Sequence, residues 1–237
     1  MTLSRIKQIP DPATASGGSP LKFMLIAALA LTLVYGFIHL ASEVGEGETS
    51  QFDQAVLLVA QSVRASHAWV ADVMRDLSGL GSTVALSLVT LSTVSYLAMF
   101  RKMRTALLLA CAVVSGTLLV SLFKTSFVRV RPEARYAEFV VSGWSFPSGH
   151  ASMSAVVFLT LGALIASART DRGERRFILL VAAMMTILVG VSRVVLGVHY
   201  ATDVLGGWIF GTSWAITWLL IANWFARHSR HTTHFRR

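Results

Sequence analysis

The chain has 237 residues, of which 54% are hydrophobic and only 14% are charged. That charged fraction lies well below the roughly 25% that is typical of soluble domains. The composition therefore predicts a membrane protein and argues against a soluble globular enzyme.

Runs of mostly apolar residues recur along the chain, and each is long enough, at about 18 residues or more, to cross roughly 30 Å of hydrocarbon as a helix. The first run exceeds the roughly 7–15 apolar residues of a signal peptide and no small-x-small cleavage site follows it, so we interpret it as a retained span. The predicted fold is an all-α polytopic membrane protein with six transmembrane helices, at approximately Phe23–Leu40, Leu80–Phe100, Thr105–Phe123, Ala151–Ala168, Phe177–Val198 and Val204–Ala226.

The positions of the basic residues predict the orientation of these spans. The net charge is +9, and 14 of the 21 lysines and arginines lie before the first span or after the second, fourth or sixth span. The positive-inside rule assigns this side to the cytoplasm, together with both termini. Because the basic residues alternate with the spans, we expect them to encode topology and we expect no nucleic-acid partner.

The composition divides the chain into three parts. Residues 8–20 are rich in Pro, Gly, Ser and Thr, and residues 1–20 are therefore predicted to form a disordered cytoplasmic leader. Residues 21–227 form a single six-span domain, and residues 228–237 form a basic cytoplasmic tail. In the sixth span, Gly207 and Gly211 have the small-xxx-small spacing that is typical of close helix packing.

The segment between the first two spans has apolar residues at helical spacing with polar residues between them. This pattern predicts amphipathic helices that lie along the outer membrane face. A soluble loop packed on the ends of the spans is the alternative. The apolar positions are Phe52, Val56, Val59 and Val63, followed by Val70, Val73, Met74 and Leu77.

The first of three polar clusters follows the third span, in the sequence KTSFVRVRP. Ionisable residues at the rim of a span cost free energy, so they indicate function. Lys124 ends the span, Arg131 follows seven residues later, and Pro132 stops a continuing helix. Because seven residues are close to two helical turns, Lys124 and Arg131 are predicted to project from one face.

The second cluster, Pro147-Ser148-Gly149-His150, leads into the fourth span. Ser148 or a neighbouring residue is expected to cap the helix that begins here. Unpaired amides and the helix dipole make such a terminus a predicted anion site.

The third cluster connects the last two spans. Arg193 lies near the outer end of the fifth span, His199 in the connection, and Asp203 at the start of the sixth span. If a helix begins in this connection, His199 and Asp203 lie one turn apart. The carboxylate then holds one imidazole nitrogen and leaves the other for a substrate.

The predicted topology places all three clusters on the outer face. Three cations, two histidines and one orienting carboxylate meet there, without a pair of acids suited to a divalent metal. This set is suited to phosphoryl transfer, in which cations clamp the phosphate and a histidine acts as nucleophile. No metal site is expected.

Together, the three motifs resemble the signature of the type 2 phosphatidic acid phosphatase superfamily, in its six-span membrane branch. They are Lys124-x6-Arg131-Pro132, Pro147-Ser148-Gly149-His150 and Ser192-Arg193-x5-His199-x3-Asp203. The resemblance implies that His199 attacks phosphorus to form a phosphohistidine, that Asp203 orients His199, and that His150 protonates the leaving oxygen. It implies no metal or other cofactor, and it assigns phosphate binding to Lys124, Arg131, Arg193, Ser148 and Gly149.

The activity that this resemblance implies is that of an integral membrane lipid phosphatase at the outer face of a bacterial inner membrane. Candidate substrates are undecaprenyl pyrophosphate, phosphatidylglycerol phosphate, phosphatidate and a lipid A phosphate. A lipid phosphotransferase with the same intermediate and a non-catalytic anion-binding subunit are the alternatives. For catalysis His199 must be unprotonated and His150 protonated, so we predict a bell-shaped pH profile.

Overall fold

The computed structural model describes residues 20–234, with side chains described for residues 21–225. These residues form helices and connecting loops and contain no β-strand. The predicted leader, apart from Pro20, and the side chains of the predicted basic tail lie outside the described residues. The helical elements are α1 (Pro20–Glu46), α2 (Ser50–Ser66), α3 (Ala68–Gly79), α4 (Thr83–Met99), α5 (Met103–Phe127), a 3₁₀ turn (Ala134–Tyr136), α6 (Gly149–Ser154), a π-helical segment (Ala155–Leu159), α7 (Thr160–Ser167), α8 (Arg172–Val195) and α9 (Ala201–His234).

The predicted six-span, all-α architecture is confirmed. Six helical stretches of the described residues are long and apolar enough to cross a membrane. One of these stretches joins α3 to α4, and another joins α6 to α7 through the π-helical segment. The second stretch begins at Ala68 instead of the predicted Leu80, because α3 runs into α4. The fifth stretch begins and ends earlier than predicted, at Arg172 and Val195. The other predicted boundaries lie within about six residues of the observed ones.

The segment between α1 and α4 forms two helices, α2 and α3, as the apolar periodicity predicts, and α3 also begins the stretch Ala68–Met99 that is long enough to cross a membrane. On α2 the buried positions are Asp53, Leu57 and Ala60, whereas Phe52 and Val59 are exposed. The apolar stripe therefore faces away from the protein, as an amphipathic helix at a membrane surface requires. Contact of this stripe with lipid stays a prediction.

The prediction that Lys124 and Arg131 share one face of a helix is wrong. Helix α5 ends at Phe127, and Val128 adopts a left-handed conformation with φ of 50°. A left-handed residue reverses the direction of the chain at a helix end. Arg131 therefore lies in an extended connection, although it still returns to the region of Lys124.

Close packing of α9 against α6 positions the reactive end of the bundle. A Cβ atom at Gly207 would lie 2.9 Å from the Ser148 carbonyl oxygen, and one at Gly211 would lie 2.4 Å from the Ser152 carbonyl oxygen. The small-xxx-small spacing thus brings two backbones together, as predicted. The approach fixes the start of α6 beside the first turn of α9.

An aromatic cluster supports the loop before α6. Phe146 is fully buried, and its ring lies 5.8 Å from that of Phe37 and 5.2 Å from that of Phe127. Phe210 of α9 lies in the same core. Burial of a side chain as large as phenylalanine stabilises this arrangement by about 1.5–3 kcal/mol, so the residues that follow Phe146 are held in place.

Candidate active site

The structure brings the three predicted clusters to one end of the bundle. Lys124 lies in the last turn of α5, His150 in the first turn of α6, Arg193 in the last turn of α8 and Asp203 in the first turn of α9. His150 lines the same cavity as Lys124 and lies within electrostatic range of Arg193 and His199. The clusters form a single site although they are distant in sequence.

His199 and Asp203 form the centre of this site. The His199 Nδ1 atom lies 3.3 Å from Asp203 Oδ2, and both side chains are buried. Helix α9 begins at Ala201, so His199 precedes the helix and Asp203 folds back toward it. The same carboxylate oxygen accepts a hydrogen bond from the Tyr200 amide at 2.9 Å and one from the Ser145 hydroxyl at 2.5 Å.

The hydrogen bonds of His199 indicate its tautomer. Arg131 Nη1 lies 3.0 Å from His199 Nε2, and a guanidinium group can only donate. Nε2 must therefore be the unprotonated, accepting nitrogen, and the proton of the neutral ring lies on Nδ1, toward Asp203. The lone pair of Nε2 accepts this hydrogen bond, so it becomes free to attack only when Arg131 donates to another acceptor, such as a bound phosphate.

Burial also favours the neutral imidazole. It lowers the pKa of His199 to about 4, although the hydrogen bond and the charge of Asp203 act in the opposite direction. The ring is consequently uncharged at neutral pH. A neutral imidazole is the form that can act as a nucleophile.

Lys124 and Arg131 hold the loop that leads to α6. Lys124 Nζ donates to the Trp144 carbonyl oxygen at 2.6 Å, and Arg131 Nε donates to the Gly143 carbonyl oxygen at 2.9 Å. Arg131 Nη1 also donates to the Val198 carbonyl oxygen at 2.8 Å. Both cations therefore line the space between this loop and His199.

Two buried polar atoms at the site have no hydrogen-bond partner among the described residues. They are Ser148 Oγ and Arg193 Nε. Buried polar groups are nearly always paired, so unpaired ones indicate a position for a ligand. Arg193 is otherwise held by a hydrogen bond to Ser78 Oγ at 2.5 Å.

The expectation that the Ser148 side chain caps α6 is not met. Ser148 occupies the N-cap position, but its hydroxyl makes no capping hydrogen bond. Its backbone amide instead donates to the Asp203 carbonyl oxygen at 3.0 Å, which joins the start of α6 to α9. The hydroxyl is thereby left available to a ligand.

A cavity of about 260 Å³ opens beside the site, between α4, α5 and α6. Its polar end is lined by Lys124, Gly149 and His150. From there the cavity extends along α5 as far as Val113. Eleven residues of helix separate Lys124 from Val113, which corresponds to about 16 Å. The remaining lining combines apolar side chains, among them Leu86, Val120 and Met153, with four hydroxyl residues. These are Thr83, Ser87, Thr117 and Ser121.

Sequence reasoning missed two charged residues of the site, Arg129 and Asp53. Arg129 Nη1 donates to Asp203 Oδ1 at 2.6 Å, and its Nη2 donates to Asp53 Oδ2 at 2.6 Å. The expectation of a single carboxylate at the site is therefore wrong, because α2 brings a second one. The spacing of Arg129 and Arg131 could have indicated the first of these residues. In an extended segment, side chains two residues apart lie on the same side, so Arg129 is expected to face the site together with Arg131.

Comparisons with known proteins agree with this geometry. The sequence model of the PAP2 superfamily matches residues 105–227, which include all three motifs. Phosphatidylglycerophosphatase B of Bacillus subtilis strain 168 is 30% identical over 183 residues, covering 76% of this chain and 88% of that protein. The match confirms the family resemblance of the motifs.

Two solved structures are similar in fold. A transmembrane PAP2-type phosphatidylglycerolphosphate phosphatase from Bacillus subtilis superposes with a TM-score of 0.71 at 26% identity, covering 86% of this chain and 96% of that one. Aquifex aeolicus LpxE gives a TM-score of 0.53 at 24% identity, covering 71% of this chain and 94% of that one, and it supports the fold alone. The chain therefore belongs to the PAP2 superfamily and is one of its membrane phosphatases.

Proposed function

We propose that this membrane phosphatase removes the terminal phosphate from a lipid phosphate or pyrophosphate through a phosphohistidine on His199, without a metal ion. One observation supports the proposal most strongly. The accepting Nε2 nitrogen of His199 lies 3.0 Å from Arg131 Nη1, while Nδ1 faces the Asp203 carboxylate. A phosphate that accepts the Arg131 donor in place of Nε2 would release the Nε2 lone pair beside its phosphorus atom.

The first chemical step transfers the phosphoryl group to the enzyme. His199 Nε2 attacks phosphorus, and the bond between phosphorus and the lipid oxygen breaks. His150 donates a proton to the leaving oxygen, and the Asp203 carboxylate stabilises the positive charge that develops on the His199 ring. The lipid alcohol, or the lipid monophosphate when the substrate is a pyrophosphate, leaves.

The second step regenerates the enzyme. Water attacks the phosphorus of the phosphohistidine, and His150 accepts a proton from this water. The bond between phosphorus and Nε2 breaks, inorganic phosphate leaves, and His199 returns to its neutral form. Water and one phosphoester or phosphoanhydride bond are consumed, so no further reactant is needed.

The phosphoryl oxygens are bound by the cations and by the start of α6. Lys124, Arg131 and Arg193 supply positive charge, and the Gly149 amide supplies a donor at a helix N-terminus. Ser148 Oγ and Arg193 Nε are buried and unpaired among the described residues, so both have donors to offer a phosphate oxygen. The same donors would stabilise the charge of the transition state.

The cavity beside Lys124 and His150 favours a lipid substrate. Its charged end meets the proposed phosphate site, and away from that end its lining along α5 alternates Val113 and Val120 with the hydroxyl residues Thr117 and Ser121. A lipid tail lying in this cavity keeps the headgroup at the reactive nitrogen. Among the candidate substrates, phosphatidylglycerol phosphate is favoured, because the Bacillus subtilis relative is a phosphatidylglycerophosphatase. Undecaprenyl pyrophosphate, phosphatidate and a lipid A phosphate are the other candidates.

The proposed location is a bacterial inner membrane, with both termini in the cytoplasm and the active site on the periplasmic face. The site lies at the end of the bundle where α5 and α8 finish. The short basic loops around Arg101 and Arg172 connect the opposite ends of the helices. The positive-inside rule favours the cytoplasm for those loops.

A phosphate-release assay tests the proposal. Purified full-length protein is incubated with each candidate lipid in excess chelator, and inorganic phosphate is measured. We expect release that is insensitive to the chelator and absent in His199→Ala. Activity that disappears with the chelator would contradict the metal-free mechanism, and a His199→Ala rate equal to wild type would support an anion-binding subunit. Transfer of phosphate to an added acceptor lipid would assign a phosphotransferase.

A further inference from the structure

The outer helix α2 contributes a fully buried carboxylate to the reaction centre. Asp53 Oδ2 accepts hydrogen bonds from Arg129 Nη2 and from Thr202 Oγ1, each at 2.6 Å. Asp53 Oδ1 accepts a third bond, from the Thr202 amide, at 3.0 Å. One aspartate on α2 thus holds both Arg129 and the first turn of α9.

Burial of this charge is not required for packing of the helix. Leu57 and Ala60 already supply a buried apolar face on α2. An isolated buried carboxylate costs several kcal/mol, and a buried pair recovers this cost only with well-formed hydrogen bonds. The complete set of partners around Asp53 therefore indicates a role beyond attachment of α2.

Arg129 divides its guanidinium between two carboxylates. It donates at 2.6 Å to Asp53 on one side and at 2.6 Å to Asp203 Oδ1 on the other. With Oδ1 held by Arg129, the other oxygen of Asp203 is directed at His199 and Ser145. The Arg129 guanidinium also lies 4.4 Å from the centre of the Tyr200 ring, which limits its movement.

The charge balance explains why a second acid is useful. Arg129 alone would neutralise Asp203 and weaken its attraction for a positively charged His199 ring. Asp53 offsets Arg129, so the three groups keep one net negative charge beside His199. That charge would stabilise the imidazolium character that develops as a phosphohistidine forms.

We propose that Asp53 and Arg129 are positioning residues, which act on the reaction by fixing the orientation and charge of Asp203 beside His199. The inference rests on the proposed function of His199. It makes the outer helix α2 part of the reactive assembly, although α2 carries none of the family motifs.

A double-mutant cycle tests this inference with orthovanadate, a phosphate mimic whose binding requires no turnover. Dissociation constants are measured by calorimetry on full-length protein for wild type, Asp53→Asn, His199→Ala and the double variant. We expect Asp53→Asn to weaken binding at least fivefold when His199 is present and less than twofold when it is absent. Equal losses in both backgrounds, or no loss in either, would overturn the inference.

Steady-state kinetics provide a second readout, with phosphatidylglycerol phosphate as substrate. Asp53→Asn is expected to lower kcat at least tenfold and to change KM less than threefold, because it alters His199 and leaves the phosphate-binding cations in place. Asp72→Asn is the matched control. Asp72 lies on α3, is exposed, and pairs with Arg75 of the same helix. Loss of activity that appears only in KM would contradict the proposed role.

A second variant, and the binding of orthovanadate by the wild-type protein, distinguish a failure of the inference from a failure of the proposed function. If Asp53→Asn does not fold, Thr202→Val removes the Oγ1 bond to Asp53 and the bond that Oγ1 accepts from Arg129. It leaves the ion pairs of Arg129 in place, so it should give a smaller loss with the same dependence on His199. A wild-type protein that binds orthovanadate but releases no phosphate from any lipid would contradict the proposed function, while the cycle would still decide the inference. Wild-type protein that does neither contradicts both.

Discussion

The proposed chemistry of the site depends on a histidine that is kept neutral. Burial lowers the pKa of His199 to about 4, and Arg131 can only donate to its Nε2 nitrogen. Asp203 holds the opposite nitrogen. A solvent-exposed histidine, with a pKa near 6.5, would be partly protonated at neutral pH. The buried environment therefore keeps the proposed nucleophile unprotonated over a wide pH range.

The pH dependence of phosphate release should reflect this environment. As the pH falls through about 4, His199 gains a proton and the rate should fall, because the lone pair on Nε2 is lost. The negative charge of a bound phosphate favours the protonated form of His150, so at high pH the rate should fall again as His150 loses the proton that it donates. We expect a bell-shaped profile of initial rates between about pH 3.5 and 9.5.

Recovery of the rate after return to pH 7 controls for unfolding at the extremes. An acid limb centred near pH 6.5, the value of an exposed histidine, would contradict a buried neutral nucleophile. A profile that rises or falls in one direction only would contradict the pairing of an acid with a nucleophile.

Among single residues, the sequence predicted those of the three motifs but did not predict Asp53 and Arg129, which hold Asp203 in place. Lys124, His150 and His199 could be found because each stands in a recognisable motif. Asp53 could not be found in this way, because its partner Arg129 lies 76 residues away and only the folded chain joins them. The apolar periodicity of α2 also identifies the exposed side of that helix, with Phe52 and Val59, and not the side that buries Asp53.

Among the helices, the contact between α6 and α9 controls the geometry of the site. Ser148 lies at the start of α6, and Asp203 lies in the first turn of α9. A shift of one helix against the other would separate the proposed phosphate donors from His199. Gly207 and Gly211 make the close approach possible.

Substitution of one of these glycines should loosen the contact. In Gly211→Ala the new Cβ would lie 2.4 Å from the Ser152 carbonyl oxygen and 2.6 Å from the Ala155 Cβ. Overpacking of this kind costs about 1–3 kcal/mol, so we expect a lower Tm of the purified protein and a lower rate of phosphate release.

Gly36→Ala is the matched control, because no atom lies within 4 Å of a Cβ at Gly36 in α1. Alanine is favoured over glycine inside a helix by about 1 kcal/mol, so the control should keep or raise the Tm. Equal Tm values for the two variants would show that the contact between α6 and α9 does not determine stability.

The sequence predicted which helices exist better than where they end. Apolar runs are sufficient to identify spans, since a helix must satisfy its own backbone hydrogen bonds in hydrocarbon. The end of α5 at Phe127 was missed, because a valine at position 128 gives no sign of a left-handed conformation. Tertiary contacts fix that turn, among them the hydrogen bond from the Ser145 amide to the Arg129 carbonyl oxygen at 2.8 Å.

The whole molecule is an asymmetric bundle, with the reactive cluster at one end and basic loops at the other. Loop residues Val140 and Thr170 mark these two ends and are both exposed. The charge pattern predicts that the end with Val140 faces the periplasm. A substrate in the outer leaflet would then reach the site by lateral diffusion.

Cysteine labelling tests this orientation. In a Cys111→Ser background, which removes the single cysteine of the chain, Val140→Cys and Thr170→Cys are introduced separately. A membrane-impermeant maleimide applied to intact right-side-out vesicles should label Val140→Cys and should label Thr170→Cys only after the membrane is permeabilised. The reverse pattern would place the site on the cytoplasmic face.

Direct trapping of the phosphoenzyme tests the central claim of a covalent intermediate on His199. Full-length protein is mixed with a radiolabelled lipid phosphate in excess chelator, quenched in alkaline denaturant and digested, and the labelled peptide is sequenced. Label should appear on His199, be stable to base and labile to acid, and form more slowly in His150→Ala. Normal turnover without any protein-bound label, or label on another residue, would contradict this mechanism.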